Sequence, residues 1–177
     1  MKDKIMKIKA MAFDIDGVFT DGCIIPIGPT HDDLVRVVDA KDSFAVRVAA
    51  QKGYETAIIS GGDTPALRYR FKHMKFKEEN LFMGARGKLK IFIDFCKQYN
   101  LDPSEVAYFG DDIPDTQVLK LCGLAVVPSD ACEEAIAVAD YVCKHPGGHG
   151  AVREGVELIM RAQGTWKFDE ERYDLLY

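Results

Sequence analysis

Short apolar runs alternate with stretches of helical spacing along this chain, and that rhythm restricts the fold more than any other feature. Ile8 to Ile15, Tyr54 to Ser60, Val106 to Gly110 and Leu124 to Val127 read as buried strands, with Tyr141 to Cys143 a short fifth. Helical stretches lie between them. Ser43 to Lys52 follows Asp42 as a cap and stops at Gly53, and a helix starting at Asp63 or Thr64, with Pro65 in its first turn, runs to Met74. Gly87 to Tyr99, Pro114 to Cys122, Ala131 to Ala139 and Gly150 to Gln163 supply the rest. Strands alternating with helices predict an α/β fold: a Rossmann-like parallel sheet with helices on both faces. In such sheets ligands bind outside the carboxyl ends of the strands. The polar residues Asp14, Asp16, Ser60, Asp111 and Asp112 all fall at that edge.

One segment departs from the rhythm. Between Val18 and Val38 there is no helical pattern; Cys23 to Ile27 and Leu34 to Val38 flank the turn-rich Gly28 to Asp33. This predicts a β-hairpin over about 18–38, projecting just after the first strand. Its apolar run has nothing obvious to cover in its own chain, which points to a partner; an ordinary edge hairpin is the alternative.

Bulk properties narrow the function classes. A chain of 177 residues with 47% hydrophobic composition suits one domain spanning 1–177. Its net charge of −5 argues against nucleic acid or an anionic membrane as the main partner. No run of about 18 apolar residues appears, so no membrane helix is expected. The five cysteines include no CxxC pair, the usage of free thiols in a cytoplasmic protein.

The chemistry concentrates in two acidic strand ends. Phe13-Asp14-Ile15-Asp16-Gly17 closes the first strand with two carboxylates and a turn, and burying both without a cation is costly. Gly110-Asp111-Asp112-Ile113-Pro114-Asp115 closes a later strand in the same way. Asp14 and Asp111 would form an oxygen-only site suited to magnesium, with Asp16 and Asp112 further candidates and Asp112 and Asp115 reaching the ion through water. Asp112 and Asp115 read alternatively as acids at a helix start. Ser60-Gly61-Gly62 makes an anion cradle or a plain turn. Lys88 fits a phosphate-clamping cation or a solvated helix-start lysine; Gly84 to Leu89 is not a P-loop.

Strand-DxDG, strand-Ser-Gly, a helix-start lysine and strand-GDDxxD, in this order, resemble the haloacid dehalogenase superfamily over nearly the whole chain. The resemblance implies that Asp14 is the nucleophile and Asp16 the general acid and base. It further implies that Ser60, Gly61 and Lys88 hold the transferring phosphoryl group, and that Asp111 binds a magnesium ion. Neither gap in which relatives insert a cap has room for one: the first holds the hairpin, and Ser60 to Lys88 holds one helix and a connector.

Asp14-Ile15-Asp16-Gly17-Val18-Phe19-Thr20-Asp21-Gly22, Lys41-Asp42-Ser43 and Gly147-Gly148-His149-Gly150-Ala151-Val152-Arg153-Glu154 are similar to motifs of one capless branch. It contains 3-deoxy-D-manno-octulosonate 8-phosphate phosphatases, nine-carbon sugar-acid counterparts and a domain of CMP-sialate synthetases. The branch implies a cytoplasmic phosphatase of lipopolysaccharide sugar synthesis acting on a small phosphorylated sugar acid. The branch also implies a homotetramer, with the hairpin and the C-terminal tail (about 164–177) of neighbours completing each site. The nine-carbon ester, or a non-catalytic tetramerisation module, is the alternative. Octulosonate phosphatases often carry an arginine after the Ser/Thr-Gly motif; here Gly61-Gly62-Asp63 stands instead. That leaves Arg68, Arg70, Arg86 and His149 as candidates to contact the sugar acid.

Overall fold

A computed structural model describes residues 1–169. Its main sheet has six parallel strands in the order β5-β4-β1-β6-β7-β8. These are β1 Ala10–Phe13, β4 Glu55–Ser60, β5 Leu81–Met83, β6 Val106–Phe109, β7 Leu124–Val127 and β8 Tyr141–Val142. The order reverses around β1: the chain first builds outward through β4 and β5, then crosses to β6 on the other side. The carboxyl ends of β1 and β6 therefore flank the switch point where such sheets bind ligands.

Period-2 alternation divides each strand between two cores. Met11, Phe13, Ile58, Phe109 and Val126 pack toward α2 (Ala40–Gln51), α3 (Pro65–His73) and α7 (Ala151–Ala162). Ala10, Ala12, Ile59, Tyr108 and Val127 pack toward α4 (Lys88–Gln98) and α5 (Thr116–Leu121). Burial on both faces explains why the strands read as continuous apolar runs rather than alternating ones. The short helices α1 (Lys2–Ile5) and α6 (Glu133–Ile136) complete the layers. Among the described residues no helix is long and apolar enough to cross a membrane.

Three expectations are corrected. The hairpin is shorter than 18–38: β2 (Ile25–Pro26) and β3 (Leu34–Val35) pair antiparallel, apart from the main sheet. Val18, Phe19 and Thr20 instead curl back, their amides donating to the Ile15 carbonyl, because Val18 and Phe19 are core residues. The cap of α2 is Asp39, which accepts from the amides of Lys41 and Asp42; Asp42 is buried one turn in. There it accepts from the amides of Gly150 (3.2 Å) and Arg153 (2.7 Å), tying α2 to the start of α7. Finally, Pro114 to Cys122 divides into a 3-10 turn at Ile113–Asp115 and then α5, because a reciprocal Asp112/Asp115 cap organises the turn.

The exposed apolar residues of the hairpin include Ile25, Ile27 and Val37. The aromatic and acidic stretch Tyr173 to Tyr177 lies outside the described residues.

Candidate active site

Asp14 follows β1 and is anchored on both sides. Its amide donates to the Phe109 carbonyl of β6 (2.9 Å), and its Oδ1 accepts from the Ile15 amide (2.7 Å). The turn that follows needs glycine: Gly17 has φ +88°, and a Cβ there would stand 2.0 Å from Asp111 Oδ2. Thr20 Oγ1 accepts from the amides of Gly17 and Gly22, and the Gly148 amide donates to the Val18 carbonyl, so the two glycine-bearing loops brace each other.

Carboxylate oxygens of Asp14, Asp111 and Asp115 come within 4.8 Å of one another. Lys88 enters from the first turn of α4, its Nζ 2.8 Å from Asp14 Oδ2 and 2.7 Å from Asp115 Oδ1. Asp115 is fully buried and also accepts from the Tyr108 hydroxyl (2.6 Å) and the Asp111 amide (3.2 Å). It is a satisfied anchor that orients Lys88.

The electrostatics follow from burial. Asp14 is 8% exposed, and burial pushes its carboxyl above the usual range although Lys88 pulls it down. Burial alone would lower Lys88, but Asp14 and Asp115 outweigh that and raise it, so it stays charged. Asp111 is pushed up to about 8, first by burial and then by the charges of Asp14 and Asp115. Asp111 Oδ1 is buried with no hydrogen-bond partner. Fully ionised, the three carboxylates would exceed the one ammonium by two negative charges, beside an orphaned oxygen. An oxygen-only donor set with that surplus fits a hard divalent cation.

These groups line a cleft of about 530 Å³ together with Asp16, Ser60, Gly61, Gly62, Arg86 and Asp112. Ser60 is buried, and its Oγ accepts from the Gly62 amide at 3.3 Å. Asp112 is exposed at the rim, its carboxylate serving the reciprocal cap with Asp115. Asp16 is held by Arg36, a residue that no motif singles out: its Nε and Nη2 donate to the two Asp16 oxygens at 2.6 and 3.0 Å. The only hint in the sequence is a cation set among the apolar residues Leu34 to Val38.

The other substrate-contact candidates disperse. Arg68 forms a two-pronged pair with Asp63, both distances 2.7 Å. Arg70 donates to Ser43 Oγ and lines a separate cavity beneath the hairpin. Arg86 is exposed at the cleft mouth. His149 borders a groove beside α7 with His145 and Arg153, away from the cleft.

The family model of haloacid dehalogenase-like hydrolases matches residues 33–123. The chain is 35% identical over 169 residues to the 3-deoxy-D-manno-octulosonate 8-phosphate phosphatase KdsC of Escherichia coli K12, covering 96% of this chain and 87% of that protein. It is similar to the crystal structure of the same-named phosphatase from Moraxella catarrhalis in complex with magnesium, phosphate and KDO. There the TM-score is 0.88 at 31% identity, over 93% of this chain and 92% of that one. The Yersinia pestis phosphatase structure gives a TM-score of 0.86 at 29% identity, over 93% of this chain and 86% of that one.

Proposed function

The chain belongs to the haloacid dehalogenase-like hydrolases, and from that membership we propose that it is a magnesium-dependent phosphatase. Its substrate is 3-deoxy-D-manno-octulosonate 8-phosphate, which it converts to the free sugar acid and phosphate through an aspartyl-phosphate on Asp14. The observation that carries this reading is the convergence of Asp14, Lys88, Asp111 and Asp115 at the switch point, with Lys88 shared between two of the carboxylates.

Asp14 Oδ attacks phosphorus as the ester oxygen departs. A carboxylate approaching a phosphate dianion meets repulsion, which the Lys88 ammonium offsets. Ser60 and the Gly61 amide bind phosphoryl oxygens. Asp16 protonates the departing alkoxide, then takes a proton from the water that opens the acyl-phosphate. Asp14 and Asp111 would hold a magnesium ion, which would supply positive charge to offset that of the phosphoryl group. Asp115 keeps Lys88 aimed at Asp14 and does not itself touch substrate.

Kinetics on the eight-carbon and nine-carbon esters, with magnesium and with EDTA, test the reading. Preference for the eight-carbon ester, loss in EDTA and loss in Asp14→Asn are expected. A higher kcat/KM on the nine-carbon ester overturns the substrate assignment, and undiminished turnover in Asp14→Asn overturns the nucleophile. The intact acid set argues against a non-catalytic tetramerisation module.

Residues 1–177 act as one cytoplasmic hydrolase domain serving lipopolysaccharide sugar synthesis, assembled as a homotetramer through the hairpin. The exposed Ile25, Ile27 and Val37 support that assembly. Sedimentation should give a tetramer that Ile27→Glu weakens; a monomeric wild type contradicts it.

A further inference from the structure

Arg36 sits one residue past β3, at the base of an exposed hairpin, yet its side chain is only 4% exposed. Its Nε and Nη2 occupy both oxygens of Asp16. Its Nη1 is buried and has no hydrogen-bond partner. Asp16 and Gly62 line the cleft, and a Cβ on Gly62 would lie 3.2 Å from Asp16 Oδ2 and 3.3 Å from Arg36 Nη2, so the guanidinium lies directly behind them. Arg36 lines the cavity of about 490 Å³ beneath the hairpin and Asp16 lines the cleft, so the bonded pair spans the wall between them.

Two consequences follow from this geometry. With both oxygens taken, Asp16 has to turn from the guanidinium before it can serve a leaving oxygen. A buried guanidinium left alone is costly, so Asp16 turns readily only when another acceptor of the same shape replaces it. The buried Nη1 is a donor that the pair with Asp16 leaves unused, so the guanidinium can gain a hydrogen bond in the exchange. Of the other candidate arginines, Arg68 is committed to Asp63 and Arg70 to Ser43, while Arg86 lines the cleft but stands exposed at its mouth.

We propose that Arg36 is the specificity-determining residue of the cleft, a latch on Asp16 whose fork the carboxylate of a sugar-acid substrate takes over. Beneath a sugar acid the released Asp16 takes up a proton from solvent and passes it to the leaving oxygen; beneath a phosphate ester without a carboxylate it stays held. The proposal rests on the reading of Asp16 as the proton-transfer group. A lysine cannot reproduce it, because a point charge lacks the two-pronged fork.

The test has a kinetic and a binding arm. In the first, kcat/KM is measured for the sugar-acid phosphate and for p-nitrophenyl phosphate in wild type, Arg36→Lys and Arg36→Gln. The ratio between the substrates should fall about tenfold or more in Arg36→Gln, through a raised KM for the acid, with only partial rescue in Arg36→Lys. An equal loss on both substrates makes Arg36 a mere prop for Asp16 and overturns the proposal, as does no loss on either. In the second arm, calorimetry compares the free sugar acid with its methyl ester on the wild-type protein. The acid should bind about tenfold tighter or more; equal binding of the two, or binding of neither, overturns the proposal. This arm needs no turnover and no variant, so it decides the matter even if Arg36→Gln fails to fold. A wrong assignment of Asp16 shows separately, as retained turnover in Asp16→Asn.

Discussion

Gly17 and Asp111 meet so closely that a single methyl group at residue 17 would stand 2.0 Å from a carboxylate oxygen of residue 111. The turn after the nucleophile strand and the acid after the neighbouring strand are thus one unit. Gly17→Ala should displace Asp111, lower kcat/KM at least about 100-fold and abolish magnesium-dependent thermal stabilisation, with a stability cost of about 1–3 kcal/mol. Gly53→Ala is the control, since Gly53 has a similar φ of +92° but nothing within 4 Å. If both variants behave alike, backbone strain alone is responsible and the contact with Asp111 is irrelevant.

Lys88 balances two buried carboxylates, so its loss should be felt in stability as well as rate. Lys88→Met leaves Asp14 and Asp115 without their shared partner. The metal-free protein should lose about 3 kcal/mol or more in urea unfolding, and magnesium should restore part of it. Its kcat should fall about 100-fold or more. A variant as stable as wild type without metal would contradict the charge balance drawn here.

Asp111 sets a pH dependence in the metal-free state. Its folded pKa of about 8 lies above the ordinary value of 3.8, so the folded state holds a proton that the unfolded chain releases between those limits. Stability from this group is therefore present at low pH and declines as pH rises toward 8. Magnesium needs the ionised form, so its stabilising effect should be larger at pH 8 than at pH 6. Thermal melts at both pH values check this, and Asp111→Asn should remove both the decline and the magnesium response.

Asp42 has the same sign in a lower window. Burial raises its carboxyl from 3.8 to about 6 despite bonds from the Arg153 and Gly150 amides. Its contribution to stability should fall by roughly 2–3 kcal/mol as pH rises from about 4 to 6. Asp42→Asn keeps an acceptor oxygen without the charge, so its stability relative to wild type should improve across that window. Parallel curves for the two proteins would show that Asp42 does not titrate there.

The order of elements and the acidic strand ends were legible because burial on both faces makes each strand a continuous apolar run, broken only where the chain leaves the sheet. Leu81–Met83 escaped notice, since a three-residue edge strand carries too few positions for any period to register. Residue type cannot place the cap of α2, because Asp39 and Asp42 are equally good caps. Only packing against α7 decides which of them is buried. Arg36 was out of reach for a similar reason: its partner Asp16 lies twenty residues away, and the two meet through the path of the hairpin. By sequence, Asp115 reads as reaching an ion through water or as a helix-start acid. The structure puts it in the acid cluster and gives it the Lys88 ammonium and the Tyr108 hydroxyl, both contacts across the sheet edge.

The covalent role of Asp14 is tested most directly by acid-quenching the enzyme during turnover with magnesium and the sugar-acid phosphate, then locating phosphoryl groups by peptide mass spectrometry. A single phosphoryl group is expected on the peptide carrying Asp14, absent in Asp14→Asn and in EDTA. Full turnover with an unmodified Asp14, or a phosphoryl group trapped on any other residue, would contradict it.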